Sequence, residues 1–438
     1  MLKSTRQLLI HNISQLLTLQ GGPQRGDRLG DLGIIENGAL LIDGETILAV
    51  GTRDEILSQH PDAPHLDAGG KVVMPGFIDP HTHLLWAGDR AEEFTQRLKG
   101  KTYLEILEEG GGILSTVRAT RQASLETLVR ETKVRAKLAF AYGTTTAEVK
   151  TGYGLDLAAE IKQLEAILAL DREVPLDLVP TFLAAHAVPP EFNGRANKYV
   201  DVICSQMLPT LKDWWAANAI KRPLPFVDVF CERGAFDFPQ SRRILTAARE
   251  LGFPLKIHAD EFENLGGASL AAELGAASAD HLVKTSKEDI AALARSETVA
   301  VSLPGTPFGL NEEEYTPAHE VLKAGCLLAL ATDTNPGTSW CESMQFILAL
   351  ACRKLGLTPA QAIAAATVNA AAALNLEGRI GSIEPGMQAD LLILSVDDYH
   401  QLGYRFGTNL VAKVIKRGRL YRVNTLSLKL TQIGKRAL

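Results

Sequence analysis

The residues of this chain best suited to chemistry are histidines and carboxylates that recur at the ends of apolar runs. The stretch PGFIDPHTHLLWAGDR, Pro75 to Arg90, carries the first two. Its apolar lead-in, Val72 to Ile78, reads as a strand leading to His81 and His83. Side chains two apart on a strand point to the same face, so both imidazoles can reach one point. Neutral imidazole is the commonest protein ligand for zinc and similar metals. Later runs end in the same way: His186 closes LDLVPTFLAAH, His258 sits in FPLKIHADE with Glu261 following, His281 sits in SADHL and Asp333 in LLALATDTN. Arg90 lies just beyond the first pair, and Tyr153 follows TTTAEVKTG. Any one of these histidines alone would more commonly be a satisfied core or loop residue. Five of the ten histidines in the chain share this placement, and that repetition is what carries weight.

His81, His83, His258 and Asp333 supply three nitrogens and a carboxylate oxygen. Such a set suits one divalent or trivalent metal ion and leaves a position open for water. A bound ion lowers the pKa of that water to about 7. A nearby Glu or His can then take and return protons. No Ser/His/Asp order and no nucleophile elbow competes with this chemistry.

The elements that must position these groups repeat as strand, loop, helix. Eight strand candidates follow one another: KVVMPGFIDPHTH, TTTAEVKTG, LDLVPTFLAAH, FVDVFCE, FPLKIHADE, SADHL, VAVSLPG and LLALATDTN. One intervening helix is capped by Ser124, carries Leu125, Leu128, Val129, Ala136 and Phe140 on one face, and stops at Gly143. Another is capped by Asp156, with Leu157, Ile161, Leu164 and Leu168 on one face. Eight buried strands alternating with helices predict an α/β fold, a (β/α)8 barrel with its chemistry at the C-terminal ends of the strands. A doubly wound sheet would want a glycine-rich phosphate loop after its first strand, and GGGILSTVR at Gly110 lacks such a strand before it. Both ends of the chain are β-rich, with turn signals at Glu36-Asn37-Gly38 and Asp43-Gly44 and strand-like ADLLILSV and LVAKVIKRGRLYRV. Residues 1–70 and 376–438 are expected to pair into one small β-sandwich domain, and residues 71–375 to form the barrel.

The bulk composition limits the classes of function. A hydrophobic fraction of 46%, a charged fraction of 22% and a net charge of −6 describe an ordinary globular protein without a basic run, which argues against a nucleic-acid surface. The five cysteines, Cys204, Cys231, Cys326, Cys341 and Cys352, are widely spaced and form no CxxC pair, so reduced thiols in a cytoplasm-like compartment are expected. The first residues lack the apolar core of a signal peptide, and no run approaches the roughly 18 residues needed to cross a bilayer. The expectation is a cytoplasmic protein with no nucleic-acid or membrane partner.

Several motifs are more specific than the paired histidines. They are FIDPHTHLLWAGDRAEEF, TYLEILEEGGGILSTVRATR from Thr102, KTGYGL from Lys150, TFLAAHAVP from Thr181, KIHADEF from Lys256, SADHL from Ser278 and ATDTNPGT from Ala331. With these the chain resembles the imidazolonepropionases of the amidohydrolase superfamily along essentially its whole length. The resemblance implies a barrel joined to a β-sandwich from both termini and one zinc or iron ion per subunit. It also implies hydrolysis of the cyclic amide of 4-imidazolone-5-propanoate to N-formimidoyl-L-glutamate, and a homodimer. By motif match His81, His83, His258 and Asp333 would hold the metal. Arg90, Tyr153, His186, Glu261, Asn335, Gly337 and Thr338 would line the substrate, with Tyr103 helping at its carboxylate. Glu261, His281 and Asp333 would share the proton transfers. Many relatives in the superfamily bridge two metals with a carboxylated lysine at the end of strand four. Here that position reads VFCE, with Glu232 and no lysine, which favours one metal; Lys150 on strand two is an alternative amine. A ring deaminase of the same superfamily shares the ligand motifs, and an inactive metal-binding scaffold would have shed a ligand or the proton shuttle.

Overall fold

Sixteen strands fall into two sheets among the residues that the computed structural model describes, 7–101, 105–106, 110–423 and 431–432. The first sheet takes β1 (Gln7–Leu17), β2 (Ile34–Asp43), β3 (Thr46–Thr52) and β4 (His65–Pro75) from the N-terminal part. From the C-terminal part it takes β13 (Leu391–Leu394), β14 (Val411–Lys416), β15 (Arg419–Arg422) and β16 (Thr431–Gln432). Its order, β16-β15-β14-β13-β4-β1-β2-β3, joins the two ends of the chain through the antiparallel pair β13 and β4. Alternation explains how it packs. Leu391, Ile393 and Val73 enter one core with Ile10, Ile13 and Leu40, while Leu392, Leu394, Val72 and Met74 enter the core shared with the barrel.

The second sheet runs in strict chain order and is parallel throughout. Its strands are β5 (Phe77–Asp79), β6 (Thr144–Lys150), β7 (Asp177–Ala185), β8 (Phe226–Cys231), β9 (Lys256–Ala259), β10 (Ser278–His281), β11 (Val299–Ser302) and β12 (Leu328–Leu330). All eight expected strands are present, with helices between them, so the chain has the (β/α)8 architecture. The helix caps are as expected: Ser124 accepts from Thr127 N at 3.2 Å and Asp156 accepts from Ala159 N at 2.8 Å. The cysteines are all free. No helix among the described residues is long and apolar enough to cross a membrane.

One expectation needs correction. Val72 to Ile78 is not one strand: β4 ends at Pro75 in the terminal sheet, and β5 begins at Phe77 in the barrel. Gly76 makes the crossover, because a Cβ there would overlap the Thr145 side chain, and its N–H donates to Asp390 O at 3.0 Å. The first barrel strand is therefore short, and His81 and His83 stand on the extended segment just past it.

Candidate active site

The barrel closes between its first and last strands at the C-terminal rim. Asp333 N donates to His81 O at 3.1 Å, and His83 N donates to Thr334 O at 2.9 Å. This closure sets the Asp333 carboxylate opposite both histidines. Asp333 Oδ1 lies 3.5 Å from His81 Nε2 and 3.6 Å from His83 Nε2, and His258 Nε2 lies 3.2 Å from His83 Nε2. Donors about 2.0–2.1 Å from a tetrahedral ion stand roughly 3.3–3.4 Å apart, and the Asp333–His81, Asp333–His83 and His83–His258 separations are close to that; His81, His83 and Asp333 converge as one trio, which His258 adjoins through His83. His81 Nε2 is buried and has no hydrogen-bond partner. Burial, with Lys150 and neighbouring imidazoles, pushes both His81 and His83 well below the ordinary histidine range, which keeps them in the neutral, ligating form. The donor set fits a metal ion. His281 and His186 extend the cluster: His81, His258 and His281 form one further convergent trio, and His83, His186 and His258 another.

Behind the imidazoles lies a layer of buried charge. Asp280 Oδ2 stands 2.6 Å from His81 Nδ1, and Asp228 Oδ2 stands 3.0 Å from His258 Nδ1. The Asp280 hydrogen bond fixes which ring nitrogen of His81 faces inward, and Asp228 lies against the outer nitrogen of His258. Lys150 Nζ reaches Asp228 Oδ2 at 2.7 Å, Glu148 Oε1 at 2.9 Å and Asp280 Oδ2 at 3.7 Å. Burial works against its charge, but these carboxylates hold its pKa above the usual lysine range. Lys150 Nζ is thus committed to the Glu148 and Asp228 carboxylates. Glu232 is turned aside as well, accepting from Phe262 N at 2.9 Å and Glu263 N at 3.2 Å.

Glu261 Oε2 sits 3.6 Å from His281 Nε2. Burial, then the charges of Asp333 and Glu232, raise the Glu261 carboxyl well above its ordinary range. His281 and Asp333 adopt left-handed backbone, at φ 80° and 51°, as do Asp260 and Leu282. Each such non-glycine residue costs on the order of 1–3 kcal/mol, and such strain concentrates at functional sites. Asp333 Oδ2 accepts from Thr306 Oγ1, which leaves Oδ1 facing the imidazoles. Thr306→Val is expected to lower metal affinity roughly 10–100-fold without unfolding the barrel. A chelator-competition titration checks this, and unchanged affinity would show that the barrel closure alone orients Asp333.

On the other side of the mouth, His186 stacks on His83, with ring centroids 4.8 Å apart and an interplanar angle of 16°. His186 Nδ1 lies 3.1 Å from Gly152 O. Gly152, at φ 107°, leaves room for this ring because it carries no Cβ; one there would stand 2.8 Å from His186 Nδ1. Tyr153 is buried, with its ring centroid 5.9 Å from His83 and 5.4 Å from His186, and its hydroxyl feels the Arg90 charge. Arg90 itself packs on Gly337. Asn335 is spent within its own loop. Its Nδ2 donates to Asp333 O at 2.7 Å and Thr338 Oγ1 at 2.8 Å, and its Oδ1 accepts from Gly337 N and Thr338 N, each at 2.8 Å. That side chain shapes the 333–339 turn that carries Gly337 and Thr338. Tyr103 lies outside the described residues.

Sequence reasoning brought the donors together but missed their supports: Asp228, Asp280, Glu148, Thr306 and Glu160. Glu160, fully buried, accepts from the N–H groups of Gly152, Gly154 and Leu155 and so holds the Tyr153 turn. A signal was there to be found. AEVK, FVDVF and PLKIH place charges inside otherwise apolar strands, and a buried charge requires a partner.

With the geometry established, comparison with known proteins gives the family. A model of the amidohydrolase family matches residues 72–421, and one described as an imidazolonepropionase-like composite domain of bacteria matches residues 38–63. The imidazolonepropionase of Herpetosiphon aurantiacus is 51% identical over 95% of this chain and 98% of its own. That of Chloroflexus aggregans is 51% identical over 95% and 99%. An adenosine deaminase from Xanthomonas campestris, solved with bound zinc, superposes with a TM-score of 0.69 at 19% identity over 98% of this chain and 95% of its own, a likeness of fold. On the family match and these full-length relatives, the chain belongs to the imidazolonepropionase family of amidohydrolases.

Proposed function

We propose that this chain hydrolyses the ring amide of 4-imidazolone-5-propanoate to N-formimidoyl-L-glutamate, using one zinc or iron ion held by His81, His83, His258 and Asp333. The observation that carries the reading is the convergence of His81, His83 and Asp333, with His258 Nε2 3.2 Å from His83 Nε2, beside Glu261 and His281 in a family of this activity. Lys150 is bound to carboxylates and Glu232 to backbone, which supports a single ion over a bridged pair. When bound, the ion supplies a Lewis acid and a water of lowered pKa. Glu261 accepts the proton of the attacking water as a C–O bond forms at the ring carbonyl. His281 stands beside the carbonyl oxygen and steadies its developing charge. The C–N bond then breaks, and the departing nitrogen takes a proton from Glu261, with Asp333 as the neighbouring relay. Arg90, Tyr153 and His186 hold the propionate, and Gly337 and Thr338 form the wall beside it. The two-part division of the chain, a barrel within residues 71–375 and a β unit from both termini, belongs to the same reading, as does a homodimer.

The test separates ring hydrolysis from deamination. A deaminase expels an exocyclic amine as ammonia, whereas lactam opening keeps both nitrogens in the product. The metal-replete enzyme should consume the ring absorbance of imidazolone propionate with no stoichiometric ammonia. Arg90→Ala should raise KM by roughly ten- to a hundredfold, because a charge-assisted pair to a carboxylate contributes about 1.5–3 kcal/mol. Ammonia released one-for-one, or an unchanged KM in Arg90→Ala, would overturn the reading.

A further inference from the structure

The Arg90 guanidinium is held between Glu93 on one side and Gly337 on the other. Arg90 caps the helix Ala91–Leu98, and its Nε donates to Glu93 Oε2 at 2.7 Å. The other oxygen of the same carboxylate, Glu93 Oε1, accepts from Gly112 N at 3.0 Å and Ser115 Oγ at 3.2 Å. Those two groups sit at the start of the helix Ile113–Gln122, so Glu93 ties Arg90 to a second element. On the opposite side the guanidinium lies on Gly337, where a Cβ would stand 2.7 Å from Cζ and overlap Nη1. Gly337 is fixed in turn by Asn335 Oδ1 and by Arg97, whose Nη2 donates to Gly337 O at 3.2 Å.

We propose that Glu93 is a positioning residue for substrate recognition, holding the Nε edge of Arg90 so that its Nη1/Nη2 fork faces the pocket and selects a carboxylate-bearing tail. This rests on the reading of Arg90 as the group that holds the substrate carboxylate. Arginine has five N–H donors, and a fork with two parallel donors matches a carboxylate. The side chain is otherwise long and rotamer-rich, and fixing it before binding removes an entropic cost from the encounter. Glu93 takes one donor and leaves the terminal fork. Gly337 supplies the flat floor that any larger residue would remove. The alternative is an i,i+3 ion pair that only supports a short helix, which would leave acid selectivity unchanged.

The experiment compares the metal-replete full-length enzyme with Arg90→Met, Glu93→Ala, Glu93→Gln and Gly337→Ala. Each is assayed on the acid substrate and on an analogue whose tail carboxylate is a carboxamide, with metal content and melting temperature recorded. Glu93→Ala should raise KM for the acid roughly two- to tenfold, with kcat and the KM for the amide near wild type. Glu93→Gln, which keeps an acceptor for Nε, should recover most of the loss. Gly337→Ala, which crowds the guanidinium from the other face, should raise KM for the acid more than for the amide, so the inference stays testable if Glu93→Ala folds poorly. Equal changes on acid and amide, or none on either while Arg90→Met loses acid selectivity, would overturn the role of Glu93. If Arg90→Met itself leaves acid selectivity intact, the assignment of Arg90 falls first and the inference with it.

Discussion

His258→Ala is expected to give a folded chain that retains almost no metal and shows only background turnover. His258 Nε2 points at His83 Nε2 across 3.2 Å, so its loss opens the donor set at its centre. The fold should survive, because the partner it leaves behind is not stranded. Asp228 keeps Lys150 Nζ at 2.7 Å and Val229 N at 2.7 Å, so the buried carboxylate remains compensated. Elemental analysis should find about one ion per wild-type chain, as a single tetrahedral set implies, and a small fraction of that in the variant. A second readout does not depend on activity. A ligand present at 100 times its Kd stabilises the state that binds it by about 2.7 kcal/mol, so wild-type melting temperature should rise with added metal while that of the variant should not. Asp228→Asn is the matched control: it should keep metal but bind it roughly 10–100-fold more weakly. Two tightly held ions in the wild type, or full metal in His258→Ala, would show that the donor set is wrong.

What could be read from sequence and what could not divides along physical lines. The eight barrel strands were legible because a parallel strand buried on both faces is a short apolar run, and AVS, LALA and FLAA are such runs. The donors were legible because they fall at one end of those runs. The break at Gly76 was not, since a chain passing from one sheet to another can keep its extended, apolar character throughout. Only the contact with Thr145 forces the glycine. Likewise invisible were the left-handed backbones at His281 and Asp333, where the side chain is needed for its donor atom and the strain is met by surrounding bonds, among them Thr316 Oγ1 to His281 O at 2.7 Å. Asn335 shows a third kind of limit. Its motif placed it at the site, but residue type alone could not tell an amide that faces substrate from one spent on its own turn. Lys150 shows the same ambiguity: the amine was visible, whereas its commitment to Asp228, Glu148 and Asp280 depends on three different strands meeting.

Glu261→Gln is expected to separate binding from chemistry. Glu261 follows the ligand His258 by three residues but turns through Asp260, at φ 55°, so its carboxylate leaves the donor set and points toward His281. Metal content should therefore match wild type. Gln has nearly the same size, and Arg90 and Tyr153 hold their places through Glu93 and Glu160, so substrate binding should change little. What the amide cannot do is take a proton from water and return it to the ring nitrogen. Groups in that role contribute about 10²–10⁴-fold, and kcat should fall by that factor with KM nearly constant. The gap of 3.6 Å between Glu261 Oε2 and His281 Nε2 is longer than a hydrogen bond, so the two side chains do not bond to each other. In the proposed reaction each serves a different atom of the amide, Glu261 the water and the nitrogen, His281 the carbonyl oxygen. His281→Asn should accordingly lower kcat as well, yet leave a solvent isotope effect that Glu261→Gln alters. Should Glu261→Gln keep more than half of wild-type kcat, the proton must travel through His281 or Asp333.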